Sequence, residues 1–349
     1  RQRVMTSFRT AGRGRVARER PVEFTFDGRR YEGFEGDTIA SALLASGVHL
    51  MGRSFKYHRP RGVVCAGSEE PNALLGTRRL GHRDRFEPNT RATVQEIHAN
   101  LVAESQNRWP SLAFDVGAIN DGLYMLFSAG FYYKTFMWPR SFWEKVYEPL
   151  IRRAAGLGRA PDREDPDTYA SRYLHCDVLI VGTGPAGLAA ALGAASSGAD
   201  VVVVDEHAEP GGTLLSEPAA EIDGRTAWSW LDGALAELDA LPNVRLMNRT
   251  TAIGYYHRNM VALCQKLTDH LADLPDDVPR ERMWRVRADQ VILAQGAIER
   301  PLVFDGNDRP GVMLAGAAMT YLNRFGVKVG ERVVVVTSHD SAWRCAFDL

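Results

Sequence analysis

The sequence predicts a mixed α/β chain made of two modules, and three observations lead to that prediction. An apolar run at residues 177–181 is followed by a glycine-rich turn and an alanine-rich stretch, the pattern of a strand, a loop and a helix. Residues 21–47 alternate apolar and polar side chains and then change to helical spacing. The charge divides as well: residues 1–176 hold 27 Lys and Arg against 20 Asp and Glu, which gives +7, whereas residues 177–349 hold 15 against 23, which gives −8.

The composition is that of a globular protein. Of the 349 residues, 45% are hydrophobic and 24% are charged, which excludes disordered and fibrous classes. Charged and polar residues interrupt even the longest weakly charged stretch, residues 116–138, so no membrane span is predicted. Both charge excesses are too small to indicate a nucleic-acid partner.

The cysteine pattern argues against a metal site and against a secreted scaffold. The four cysteines are far apart and have neither metal-ligand nor redox-motif spacing. A reducing cytoplasm is therefore the expected compartment. The first 20 residues contain seven arginines but no apolar core, which excludes a secretory signal.

The first module is predicted to begin with a hairpin and one helix. Residues 22–26 alternate apolar and polar side chains, and Asp27-Gly28 follows at the position of a tight turn. Apolar residues then recur on one face from Thr38 onwards until Gly47 ends the helix. A hairpin followed by a helix is the opening of a β-grasp, ferredoxin-like fold.

Residues 52–72 form a predicted loop where a plant-type ferredoxin wraps an iron–sulfur cluster. Only Cys65 is present, and one thiolate cannot hold a cluster that needs four. We therefore expect the fold without the cluster, with Cys65 as a small buried residue. Five basic residues lie in the first part of the loop, either as a solvated cationic face or as contacts to a cofactor phosphate or an acidic partner: Arg53, Lys56, His58, Arg59 and Arg61.

A connecting segment, residues 105–172, is unusually aromatic. Ten of the chain's 32 aromatic residues lie between Tyr124 and Tyr147, where an even spread would place about two. They predict either ordinary core or a subunit interface or cofactor wall. Residues 156–172 are rich in Gly, Pro and charge and are interpreted as a linker.

The second module carries the strongest functional motif. The strand at 177–181 leads into Gly182-Thr-Gly184-Pro-Ala-Gly187, an alanine-rich helix follows, and residues 201–204 form a second buried strand that ends at Asp205-Glu206. Each glycine has a physical reason: the first permits the turn, the second admits a pyrophosphate, and the third allows the helix to pack closely on the strand. The free amides at the helix start favour phosphate.

The acid pair sets the expected specificity. Asp205 or Glu206 is predicted to accept hydrogen bonds from the adenosine ribose hydroxyls. A carboxylate there repels a 2′-phosphate, so NAD or FAD is favoured over NADP. Small residues after the acid, at 209–213, and two later strand ends, at 252–256 and 290–297, are expected to return to the cofactor.

The end of the sequence predicts one more element. Residues 332–336 read as a further buried strand, with the start of a helix after it. A β-α-β unit that stops there would leave its sheet half covered, so we expect a fragment of a longer polypeptide. The predicted domains are thus residues 1–104, a ferredoxin-like domain without cluster cysteines, residues 105–172, the connecting segment, and residues 173–349, a Rossmann-like FAD/NAD-binding domain of disulfide-reductase type.

Several segments outside the dinucleotide motif resemble the α subunit of heterotetrameric sarcosine oxidase. The resemblance covers most of the chain. It is carried by Gly52-Arg-Ser-Phe-Lys-Tyr-His-Arg-Pro-Arg-Gly62, Glu69-Glu-Pro-Asn-Ala73, Ser105-Gln-Asn-Arg-Trp-Pro-Ser111, Ala129-Gly-Phe-Tyr-Tyr-Lys-Thr-Phe-Met-Trp-Pro139 and Gly296-Ala-Ile-Glu-Arg-Pro301.

The resemblance implies a subunit of an αβγδ complex. This subunit would bind NAD, the β subunit would carry FAD and oxidise sarcosine, and FMN between α and β would pass the electrons to oxygen, giving hydrogen peroxide. A part of α beyond residue 349 would bind tetrahydrofolate and capture the one-carbon unit. No catalytic or metal-ligating residue is assigned here, because the flavins supply the redox chemistry.

Motif and resemblance together assign a set of cofactor-binding residues. His207 takes the place of a residue that is often basic in relatives. The set is Gly182, Gly184, Pro185, Ala186, Gly187, Asp205, Glu206, His207, Gly212, Thr213, Ala252, Ala294 and Gly296. Two alternatives stay open: a subunit of a proline, hydroxyproline or N-methyl amino-acid dehydrogenase, and a non-catalytic scaffold stabilised by its nucleotide.

Overall fold

The computed structural model describes residues 8–81, 84–125, 127, 130, 136–155, 158–161 and 163–349. The described strands are β1 Ala17–Phe26, β2 Arg29–Glu35, β3 Gly52–Arg53, β4 Pro60–Arg61, β5 Leu74–Arg79, β6 Phe86–Arg91, β7 Leu101–Ser105, β8 Tyr169–Val181, β9 Val201–Val204, β10 Glu221–Ile222, β11 Arg225–Thr226, β12 Val244–Met247, β13 Thr250–Tyr256, β14 Met260–Lys266 and β15 Glu281–Leu293. The described α-helices are α1 Ile39–Ala45, α2 Ile119–Gly122, α3 Glu148–Ala155, α4 Pro185–Ser196, α5 Ala227–Asp239, α6 Ala315–Met319 and α7 Trp343–Asp348.

The first sheet confirms the predicted hairpin and helix. Among the described residues it has five strands in the order β2-β1-β7-β5-β6, with β1 and β7 parallel. Asp27 and Gly28 form the turn between β1 and β2, both with positive φ, as a two-residue turn requires. Helix α1 starts at a capping box between Thr38 and Ser41, and all of its residues are buried.

A later segment completes the core of the first module. Tyr321 and Phe325 are 1% and 2% exposed and pack in the same apolar cluster as Leu43 and Leu75. Residues 315–327 therefore cover the ferredoxin-like fold although they follow the second sheet in sequence. The division of the chain at residues 104 and 172 stays a proposal.

The second sheet is mixed. In the described part of the chain its order is β12-β9-β8-β15-β14-β13, in which the first four strands are parallel and the last two antiparallel. Strand β8 begins at Tyr169, inside the segment interpreted as a linker, because β15 pairs with it continuously from Glu281 to Leu293. The predicted strand at 177–181 is thus the end of a longer one.

Helices α4 and α5 cover one face of this sheet. Leu188 and Ala191 of α4 and Leu231 of α5 are fully buried in a cluster with Ile180 and Val203. The alanine side chains of α4 are small, so this helix can lie close to the parallel strands. This packing fixes the start of α4 at the carboxyl ends of β8 and β9.

The predicted strand at 332–336 is wrong. These residues form no strand in the structure, and Val334 is 87% exposed. An apolar run forms a strand only where a neighbouring strand supplies hydrogen bonds to its backbone. None of the described strands pairs with this run, so its backbone stays irregular.

The aromatic segment includes several exposed side chains in the described part of the chain. Trp109, Phe114 and Trp138 are 69%, 69% and 85% exposed. The described part of this chain does not bury these side chains, which supports the interface interpretation. Residues 126, 128–129 and 131–135 of the predicted aromatic window, and 156–157 and 162 of the predicted linker, lie outside the described residues.

No helix in the described part of the chain combines the length and the apolar character that a bilayer span needs.

Candidate dinucleotide-binding site

The glycine loop lies where β8 ends and α4 begins. Gly182 has a φ of +105°, and a Cβ there would lie 2.4 Å from the carbonyl oxygen of Ala294. A Cβ on Gly187 would lie 1.9 Å from the Gly182 carbonyl oxygen. Both positions exclude any side chain, because the backbones of β8, α4 and the end of β15 meet there.

Gly184 is different, because a Cβ there would meet nothing within 4 Å. The space beside it is open. Gly184 is the N-cap of α4, makes no side-chain cap hydrogen bond, and is followed by Pro185 at the first helical position. Helix geometry leaves the amides of the first turn, including those of Ala186 and Gly187, without intrahelical acceptors. These amides and the helix dipole favour an anion at this point.

A second loop forms the opposite wall. Gly212 has a φ of +53°, and a Cβ on it would lie 2.9 Å from the Cα of Gly184. Thr213 follows and is exposed. The small residues predicted after the acid pair therefore do bring this loop against the glycine turn.

The Asp205 carboxylate forms hydrogen bonds with residues of the adjoining loops. Its carboxylate accepts hydrogen bonds from the Thr183 N–H at 2.7 Å and the Thr183 hydroxyl at 2.6 Å. The other oxygen accepts from the N–H of His207 and contacts its Nδ1, both at 2.9 Å. Burial alone would raise the pKa of Asp205, but the hydrogen bonds and charge of His207 and the hydrogen bonds from Thr183 lower it to about 2.

Glu206 points outward and is exposed. One of its carboxylate oxygens, Oε1, accepts a hydrogen bond of 2.7 Å from the hydroxyl of Ser68, a residue of the first module. The two acids therefore have different surroundings: Asp205 fixes the glycine loop, and Glu206 faces the open side. Of the two predicted ribose acceptors, the geometry favours Glu206.

The structure places three other predicted residues, Ala294, Ala252 and Gly296, in different positions relative to the glycine loop. Ala294 lies directly beside Gly182, and its N–H donates to Val181. Ala252 lies two residues after Thr250, whose N–H donates to the Asp205 carbonyl at 2.7 Å. Gly296, with a φ of +73°, is exposed, and a Cβ there would have open space around it.

Sequence reasoning missed Thr183 and Ser68. Thr183 is fully buried and also accepts a 3.3 Å hydrogen bond from the N–H of Gly211, so it links the two glycine loops. A hydroxyl inside the motif with an acid at the next strand end was an available signal. Ser68 gave no signal, because it is 138 residues from Glu206.

The basic loop is engaged mainly in structural contacts. Arg53 donates to the carbonyls of His58 and Leu112, while Arg59 and Arg61 pair with Asp121 and Asp308 at 2.6 Å each. Lys56 lies over the ring of Tyr57. These partners favour a structural role over phosphate binding. Nearby, Cys65 is 5% exposed, and its burial raises the pKa of the thiol to about 12.

Comparison with protein families agrees with the two modules. Residues 19–108 match a 2Fe-2S iron-sulfur cluster binding domain, and residues 177–264 match an FAD dependent oxidoreductase family. The predicted mixed α/β fold, with a ferredoxin-like domain followed by a flavoprotein-type domain, is confirmed.

Curated relatives match almost the whole chain. Sarcosine oxidase subunit alpha of Rhizobium meliloti (strain 1021) is 54% identical over 345 residues, which are 99% of this chain and 34% of that protein. Sarcosine oxidase subunit alpha of Corynebacterium sp. (strain P-1) is 41% identical over 337 residues, 96% of this chain and 30% of that protein. The chain thus spans about a third of the length of these relatives.

A solved structure supports the fold. The L-proline dehydrogenase from P. horikoshii superposes with a TM-score of 0.59 at 18% identity, over 93% of this chain and 49% of that one. At this identity the likeness concerns the fold alone. The predicted resemblance is confirmed by the curated relatives: the chain is a homologue of the sarcosine oxidase alpha subunits over nearly all of its residues.

Proposed function

We propose that this chain binds NAD at the glycine loop as part of the α subunit of a flavoenzyme complex that oxidises sarcosine. Homology to sarcosine oxidase alpha subunits supports the complex. The observation that supports nucleotide binding is the open space beside Gly184, at the start of a helix of 12 residues.

The residues around this space fit an ADP moiety. The first-turn amides of α4 would hold the pyrophosphate, because they are the free donors at the positive end of the helix. Glu206 would accept hydrogen bonds from the adenosine ribose through its exposed carboxylate. The same negative charge would repel a 2′-phosphate, so NAD is favoured over NADP. Thr183 and Asp205 would keep the loop in shape.

The chemistry of the complex would be supplied by its cofactors when they are bound. We propose FAD on the β subunit, FMN between α and β, and oxygen as the final acceptor, with hydrogen peroxide and either formaldehyde or methylene-tetrahydrofolate as products. The tetrahydrofolate site would lie on a part of the protein outside this sequence. We place no catalytic acid or base on this chain, whose residues bind and orient.

We also infer that the ferredoxin-like domain holds no iron–sulfur cluster, although residues 19–108 match a 2Fe-2S family. Such a cluster needs four thiolates or equivalent ligands. Cys65 is the only cysteine in that range, and it is 5% exposed. The residues present do not fit a cluster.

Mass spectrometry of the purified complex tests the proposal. We expect β, γ and δ chains to co-purify and the denatured extract to contain NAD together with FAD and FMN. Sarcosine should give peroxide, whereas proline should not. An extract without NAD, or peroxide formed with proline and not with sarcosine, would contradict the assignment.

A further inference from the structure

We propose that the loop of residues 62–73 is part of the dinucleotide site, and that Ser68 at its tip positions the Glu206 carboxylate for the adenosine ribose. The inference rests on the proposed nucleotide function and extends it to the first module. The loop lies where a 2Fe-2S domain would wrap its cluster. Here it would serve the neighbouring nucleotide instead.

The loop is organised around the side chain of Glu70, which is 1% exposed. Its Oε2 accepts the N–H groups of Val64 and Cys65 at 2.7 and 2.8 Å. Its Oε1 accepts those of Asn72 and Ala73 at 2.7 and 3.1 Å. Four amides converging on one carboxylate are enough to offset much of the cost of burying it. An internal carboxylate thus holds the two ends of the loop together.

Further contacts fix the loop from outside. The Thr93 hydroxyl donates to the Gly67 carbonyl at 2.7 Å, and the buried Tyr321 hydroxyl donates to the Cys65 carbonyl at 3.0 Å. The N–H of Leu314 donates to the carbonyl of Val64 at 2.9 Å. Ser68 therefore extends from a loop whose backbone is fastened on both sides.

The contact of Ser68 with Glu206 is suited to positioning. An exposed glutamate loses side-chain entropy when a ligand orders it, and this loss weakens binding. The Ser68 hydroxyl donates to Oε1 and leaves Oε2 available for a ribose hydroxyl. The rotamer would thus be restricted before the nucleotide arrives. Ser68 acts through Glu206 and is a positioning residue.

The test uses the purified complex, depleted of nucleotide and titrated by calorimetry with two probes. One probe is NAD, and the other is the NAD analogue whose adenosine ribose lacks both hydroxyls. We expect Ser68→Ala to weaken NAD about threefold to tenfold, the effect of one hydrogen bond, and to leave the analogue unchanged. Ser68→Thr, which keeps the hydroxyl, should restore NAD affinity.

Ser197→Ala is the matched control, because this exposed hydroxyl donates to the Ala194 carbonyl at the far end of α4. It should leave both affinities unchanged. An unchanged NAD affinity in Ser68→Ala, or an equal loss for both probes, would overturn the role of Ser68 while leaving the proposed function intact. A parent complex that binds no NAD would overturn both proposals.

Discussion

The Thr183 hydroxyl donates to the Asp205 carboxylate at 2.6 Å and accepts from the Gly211 N–H at 3.3 Å. The buried Thr183 side chain therefore connects the glycine loop to the end of β9 and to the second loop, at Gly211 and Gly212. The shape of the site depends on this hydroxyl as much as on the glycines.

Thr183→Val replaces the hydroxyl with a methyl group of similar volume. We expect a loss of about 2 kcal/mol in the free energy of unfolding, because Asp205 loses a donor and the Gly211 amide loses its acceptor. The nucleotide should bind more weakly as well. Urea unfolding and calorimetric titration with NAD measure the two effects. Thr183→Ser keeps the hydroxyl and serves as the control; a serine variant as damaged as the valine variant would mean that the hydroxyl is not responsible.

The decrease in the free energy of unfolding at low pH should depend on the ionisation of Asp205. Because its pKa is lowered to about 2 in the folded chain, its ionised form stabilises the fold. That stability is present above the unfolded pKa near 4 and is lost as the pH falls through about 2, a change of roughly 2 kcal/mol. Asp205→Asn should show a shallower decline between about pH 5 and pH 2. Unfolding measured across this range would contradict the assignment if the two profiles ran parallel.

Much of the fold could be predicted because the local signals agree with the tertiary structure. Asp27-Gly28 can adopt positive φ, so the hairpin turn was readable from two residues. Gly182 and Gly187 were likewise readable, since their positions in the motif imply close backbone contacts. In both places the chemistry that shapes the chain lies within a few residues.

The rest depends on partners that are distant in sequence. The run at 332–336 has the composition of a strand, but composition does not provide a neighbouring strand. The different roles of Asp205 and Glu206 depend on which side chain turns towards Thr183 and which towards Ser68. The early start of β8 at Tyr169 depends on pairing with β15.

Substitutions at Gly184 and Gly187 should have different effects, the first on NAD binding and the second on the stability of the fold. In Gly184→Val the new side chain enters open space, so the free energy of unfolding should change by less than about 1 kcal/mol while NAD is lost. In Gly187→Ala the new Cβ would lie 1.9 Å from a carbonyl oxygen, so the variant should lose stability by roughly 2–3 kcal/mol or more. Thermal unfolding and the nucleotide content of denatured extracts measure both. A Gly184→Val protein with full NAD content would contradict the proposed path of the pyrophosphate.

The exposed aromatic segment should matter for assembly and not for the fold of this chain. Trp138 is 85% exposed, so Trp138→Ala should change the free energy of unfolding by less than about 0.5 kcal/mol. If the segment is a subunit interface, the variant should hold its partner chains at least about tenfold more weakly, as expected for an aromatic interface residue. Trp230, a residue of α5 that is 6% exposed, is the matched control, and its change to alanine should cost about 3–5 kcal/mol. Pull-down of the partner chains decides the matter: full retention with Trp138→Ala would count against an interface at that residue.

Arg280 forms ion pairs with carboxylates from three separate segments of the chain. Its replacement should therefore lower the free energy of unfolding. Its guanidinium lies 2.8 Å from both Asp269 and Glu87 and 3.3 Å from Asp167. Burial alone would lower the pKa of Arg280, but the Asp269 charge and the Glu87 hydrogen bond raise it, so the cation is firmly held. Arg280→Met should cost about 3 kcal/mol, because it leaves largely buried carboxylates without their cation.

Arg285 lies on β15, which begins directly after Arg280; it is exposed and donates to the Ser171 hydroxyl. Arg285→Met should therefore cost less than about 0.5 kcal/mol, the range of an ordinary surface change. Urea unfolding of both variants gives the comparison. Equal losses would mean that the effect comes from removing a long side chain in this part of the chain. A large loss confined to Arg280→Met would identify the ion cluster around Arg280 as a link between the two sheets.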